Sequence, residues 1–194
     1  MLFISDFGDS AVLLPLALFL IVVLWRYQSW PAAVSLIQAL GICLATLVML
    51  KVAFIVCGAS WHAGIGSPSG HAGMSAMIYG ALGVVAARQA SWWQRPVILA
   101  GVWLLVSGIA MSRVALGAHS YAEVVIGVLA GLAALGYFLF RYLRLPDRKM
   151  NWALIATTLC AGLLVLHGIH APLEQLIRHL ALATRAMTGA CTGA

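Results

Sequence analysis

His119 and Glu123 stand four residues apart, so on a helix they share one face. A carboxylate so placed can fix the tautomer of an imidazole and balance the charge of an imidazolium. The same pair could equally be a structural hydrogen bond. Ser112-Arg113 lies just upstream, and a guanidinium suits phosphate because it offers paired N–H donors. A second stretch, Ser67-Pro68-Ser69-Gly70-His71, runs into an apolar segment. A helix opening at Ser69 and Gly70 exposes backbone N–H groups and the positive end of its dipole, which together form an anion site. His71 adds a titratable donor there, although a Ser-Gly helix cap is common on its own. Of the five acids, Asp6 and Asp9 are assigned to an N-terminal tail, Asp147 to a basic loop and Glu174 to the C-terminal tail. That leaves Glu123 at the mouth of a span and no carboxylate cluster for magnesium or calcium. The predicted site takes a phosphate, with no metal and no cofactor.

The elements that carry these residues must be membrane helices. The chain has 194 residues, only 8% of them charged, and a mean hydropathy of +1.03. A soluble domain has about a quarter of its residues charged, so lipid is the expected solvent. A helix needs about 20 apolar residues to cross the hydrocarbon core. The apolar runs predict six spans, at 10–27, 32–57, 71–90, 96–112, 120–142 and 152–170, with the fourth short. The fold class is all-α, a transmembrane bundle forming a single domain over 1–194. Leu173, Leu176, Ile177, Leu180 and Met187 recur at helical spacing, which predicts a C-terminal amphipathic helix in the interface. Gly127, Gly131 and Gly136 suit close helix packing. The four cysteines show no metal or disulfide spacing. Trp25, Trp30, Trp92 and Trp93 read as an aromatic belt, Tyr121 equally as a residue of the site or as packing beside it, and His167 and His170 as interfacial residues.

Basic residues concentrate in loops one, three and five, as Arg26, then Arg88 and Arg95, then Arg141, Arg144, Arg148 and Lys149. By the positive-inside bias these loops are cytoplasmic. Residues 58–70 and 113–119 then face outward together, on one side of a bacterial inner membrane. The net charge of +6 is assigned to anionic headgroups rather than nucleic acid. The first apolar run has no basic start and no small-residue cleavage site, so it reads as a retained helix rather than a signal peptide.

These residues resemble the type-2 phosphatidic acid phosphatase family, which also includes vanadium haloperoxidases. The family's central signature, Pro-Ser-Gly-His, is Pro68-Ser69-Gly70-His71 here. Its last signature is Ser-Arg, five residues, His, three residues and Asp. This chain has Ser112-Arg113, His119 and Glu123 at that spacing, with Glu in place of Asp. The first signature, Lys, six residues and Arg-Pro, begins at Lys51, but Gly58-Ala59 stands where Arg-Pro is expected. Lys51, Arg113 and backbone donors must then suffice, or the headgroup differs; Trp61 or His62 could fill the space. The resemblance covers about 51–135.

The resemblance implies that His119 attacks phosphorus while Glu123 orients its ring. His71 would protonate the departing oxygen, and Lys51, Ser69, Gly70 and Arg113 would hold the phosphate oxygens. The expected partners are a lipid phosphate or pyrophosphate and the bilayer. Undecaprenyl pyrophosphate, phosphatidylglycerol phosphate, phosphatidic acid and lipid A are all open. Short loops leave little room around a large headgroup, which favours a polyprenyl pyrophosphate. The alternatives are a lipid-phosphate binder or transporter without turnover, supported by the missing Arg-Pro, and phosphotransfer between lipids.

Overall fold

The computed structural model describes residues 2–57 and 66–150. The sixth span, the amphipathic helix, His167, His170, Gly58-Ala59, Trp61 and His62 lie outside the described residues. Within them the chain is an all-helical integral membrane bundle of α1 (Leu2–Asp6), α2 (Ser10–Val23), α3 (Trp30–Cys57), α4 (Gly70–Gln89), α5 (Gln94–Ala115) and α6 (Tyr121–Tyr142). A π-helical turn at Leu24–Gln28 joins α2 to α3. Five segments are long and apolar enough to cross a membrane: Ser10–Gln28, Trp30–Val56, Gly70–Gln89, Gln94–Ala115 and Tyr121–Tyr142. They match the first five predicted spans within a few residues. The fourth is not short: α5 extends to Ala115 because Arg113 is carried on its last turn rather than in a loop.

Local chemistry sets the helix boundaries. Asp9 caps α2, its carboxylate accepting from Ala11 N at 2.9 Å. Ser29 accepts from Ala32 N at 3.3 Å, and Pro31 sits in the first turn of α3, where its missing N–H costs nothing. α5 stops in a Schellman arrangement: Gly117 has φ +66°, Gly117 N donates to Val114 O, and Ala118 N donates to Arg113 O. Ser120 then caps α6.

The central helix is α4, packed between α6 and α5. Some 72% of its span window is buried, against 22–39% for the others, so its polar side chains face protein rather than lipid. Its small residues permit close contact with α6. A Cβ on Gly127 would lie 2.3 Å from Ser69 O, and one on Gly131 would lie 2.1 Å from Gly73 O. Gly136, predicted to act likewise, meets nothing within 4 Å, because it points away from α4. Leu36, Leu47, Met77, Phe138 and Tyr142 form one apolar core, and Leu13, Leu16, Tyr79 and Ile109 a second on the α2–α5 side. Leu18, Met49, Val97 and Leu104 stand outward on the lipid-facing surface. Trp25, Trp30, Trp92 and Trp93 are exposed near helix ends, as a belt requires, and Tyr121 is exposed at the start of α6.

Candidate active site

Alternating helix directions bring the end of α3, the start of α4, the end of α5 and the start of α6 to one end of the bundle. Gly117 turns the chain sharply after α5, so His119 falls one residue before the cap of α6. Its Nδ1 lies 2.9 Å from Glu123 Oε2, and both side chains are about nine-tenths buried. Glu123 is also the third residue of its helix. Ser120 N donates to Oε2 at 3.0 Å, and Glu123 N donates to Ser120 Oγ at 3.3 Å, forming a reciprocal capping box. The other carboxylate oxygen, Oε1, accepts from Gly66 N at 2.5 Å and Ser67 N at 3.1 Å. One carboxylate thus ties the loop before α4 to the loop before α6 and holds the imidazole between them. A negative group with this many donors, at a helix N-terminus, is electrostatically well placed.

The start of α4 adjoins this pair. Ser69 N donates to Glu123 O at 3.0 Å, and Ser69 Oγ accepts from Ala72 N at 3.4 Å. Ser69 is fully buried, and its hydroxyl serves as the helix cap. Lys51 is not a lysine reaching from a helix end to water; it is only 5% exposed. A Cβ on Gly70 would sit 3.6 Å from Lys51 Cε and 3.8 Å from Nζ, so the ammonium lies against the opening turn of α4. An ammonium and a helix N-terminus both attract an anion.

Arg113 takes a different direction. Its Nη1 donates to Ser5 Oγ at 3.0 Å, and its Nε is buried with no hydrogen-bond partner among the described residues. His71 has Nε2 3.7 Å from Asp9 Oδ2. Asp9 is therefore no tail residue, as sequence reading assigned it, because capping α2 carries it to the site end of the bundle. Of the predicted residues, His119, Glu123, Ser69, Gly70 and Lys51 are linked by these contacts, whereas His71 and Arg113 make theirs with the N-terminal segment. Sequence reading missed Ser5, Asp9 and the N–H groups of Gly66 and Ser67. It also passed over two readable signals, the Ser120-x-x-Glu123 capping box and the Asp9-Ser10 helix start.

A family model of the PAP2 superfamily matches residues 53–144, which include His71, His119, Arg113 and Glu123. Over 191 residues the chain is 33% identical to an "Uncharacterized 22.5 kDa protein in cps region" of Klebsiella pneumoniae, covering 93% of this chain and 89% of that one. This chain belongs to the PAP2 superfamily. No solved structure matches it. PAP2 membership carries a phosphatase-type function on phosphoric esters. The PAP2 match opens two residues after Lys51, so the lysine's standing rests on its position against α4 rather than on the match.

Proposed function

We propose that this PAP2 protein is a membrane lipid phosphatase that hydrolyses a lipid phosphate or pyrophosphate through a phosphohistidine on His119. The observation that carries the reading is the 2.9 Å contact between His119 Nδ1 and Glu123 Oε2, beside a helix start that holds a buried lysine. With Nδ1 on the carboxylate, Nε2 is the nitrogen for phosphorus. Its lone pair forms the N–P bond as the bond from phosphorus to the leaving oxygen breaks, and that oxygen takes a proton from His71. Water then gives a proton to His71 while its oxygen attacks phosphorus, and the N–P electrons return to His119. Lys51, the Ser69 hydroxyl, the Gly70 N–H and the Arg113 donors not spent on Ser5 balance the equatorial oxygens as charge shifts.

Lipid tails stay in the bilayer while the phosphate enters at the helix ends, and a polyprenyl pyrophosphate suits the short loops best. Arg26, Arg88, Arg95, Arg141, Arg144, Arg148 and Lys149 lie on helix ends and connections at the opposite end of the bundle, which supports a site facing the outside of a bacterial inner membrane. Labelling intact cells with an impermeant thiol reagent tests this: Ala118→Cys should react and Trp92→Cys should not. The reverse pattern would invert the orientation.

The deciding experiment measures phosphate release by purified protein in detergent with EDTA. Its substrates are phosphatidic acid, phosphatidylglycerol phosphate and undecaprenyl pyrophosphate, with His119→Ala alongside. Release that survives EDTA and vanishes in the variant, with an acid-labile phosphoryl group trapped on wild type, is the expected result. Equal release by His119→Ala would sink the mechanism. Tight binding without release would make the protein a lipid-phosphate binder, and release only with a second lipid present would make it a phosphotransferase.

A further inference from the structure

We infer that Asp9 is a positioning residue for His71, so that the N-terminal segment supplies part of the proton-transfer apparatus. This rests on the reading of His71 as the general acid. Asp9 Oδ2 lies 3.7 Å from His71 Nε2, with side chains 11% and 18% exposed. That separation is longer than a hydrogen bond but close enough for a carboxylate to orient an imidazole and balance its charge.

The contact is one of a series. His71, Ser75 and Tyr79 recur at four-residue spacing and form a single stripe on α4. Along this stripe the segment runs backward. Asp9 meets His71, a Cβ on Gly8 would lie 3.3 Å from Ser75 Oγ, and Phe7 O accepts from Tyr79 Oη at 2.8 Å. On its other side the segment touches α5, where a Cβ on Gly8 would come within 2.7 Å of Ile109 Cγ2 and Ser5 Oγ accepts from Arg113. The segment that carries Asp9 is therefore held against both α4 and α5. The two carboxylate oxygens of Asp9 divide the work: Oδ1 caps α2 through Ala11 N, and Oδ2 faces His71. A cap alone needs only one oxygen, and asparagine or serine would provide it equally well.

That division gives the test. Asp9→Asn and Asp9→Ser keep the cap and remove the charge facing His71. Each full-length variant is assayed in detergent on phosphatidic acid, whose alkoxide leaving group needs a proton, and on p-nitrophenyl phosphate, whose phenolate leaves without one. Both variants should lower kcat on phosphatidic acid by about tenfold or more, a share of the usual general-acid contribution. KM should stay within about twofold, and the loss on the aryl ester should be much smaller. His71→Asn should show the same substrate bias with a larger loss, and adding Asp9→Asn to it should cost nothing further. Equal losses on both substrates, losses that add to those of His71→Asn, or no loss at all would reduce Asp9 to a helix cap. If His71→Asn itself shows no substrate bias, the general-acid reading fails and this inference falls with it.

Discussion

Each end of α6 is gripped by a single charged side chain, yet only one of these grips also holds an imidazole. At its start Glu123 gathers the N–H groups of Gly66, Ser67 and Ser120. At its end Arg88 donates to Tyr142 O at 2.8 Å and Leu145 O at 2.5 Å, pairs with Asp147 at 3.5 Å and stacks over the Tyr142 ring. Each charge opposes the helix dipole at its own end, anion at the N-terminus and cation at the C-terminus. Gln28 and Gln89 extend the second grip by bonding Arg148 and Met150. Arg88 uses its donors on carbonyls and a carboxylate. Glu123 uses one oxygen on backbone and shares the other with an imidazole. Gripping a loop with a charge is thus a structural device, and on the proposed mechanism adding a nitrogen base to one such grip is what makes chemistry available.

The sharpest way to break this contrast is to remove the base. His119→Ala should reduce phosphate release by at least about 10³-fold while leaving thermal unfolding in detergent nearly unchanged; a stability loss matching that of Arg88 variants would make the two ends equivalent. Glu123→Gln comes next. It keeps an acceptor for the loop but misorients the ring, so the rate should fall on the order of 10²- to 10⁴-fold, with about 1–3 kcal/mol of stability lost. Arg88→Met should show the converse: about 1–3 kcal/mol lost in chemical unfolding, with kcat per folded molecule preserved. The smallest effects concern packing. Gly127→Ala should cost about 1–3 kcal/mol, because its methyl group meets the backbone of Ser69. Gly136→Ala, in open space on the same helix, should be neutral or stabilising by up to about 1 kcal/mol. Equal outcomes for the two glycines would remove backbone contact as the cause.

The spans were legible because lipid leaves little choice: long apolar runs ended by Arg, Gly and Pro, and α2 through α6 follow them. The pairing of His119 with Glu123 was legible from helical spacing, and its shared end with His71 from counting crossings. What spacing could not convey was contact between segments far apart in sequence. Asp9 and His71 are separated by two full crossings, and Ser5 and Arg113 by four. The direction of Lys51 was likewise hidden, since an identical lysine on a lipid-facing stripe would reach toward water. Gly136 shows the opposite failure. Its composition matched Gly127 and Gly131, but only its azimuth on α6 decides what it touches.

The close approach of α4 and α6 also bears on how substrates of different shape could be received. Ser69 and Gly73 meet Gly127 and Gly131 through main-chain atoms, so neither helix can roll or slide without collision. The helix starts next to His71 and His119 therefore form a jaw with a fixed gape. On the proposed reading, tolerance of different headgroups has to come from side chains around that gape rather than from movement of α4 or α6. Selection for a new substrate should accordingly alter those side chains and spare the jaw.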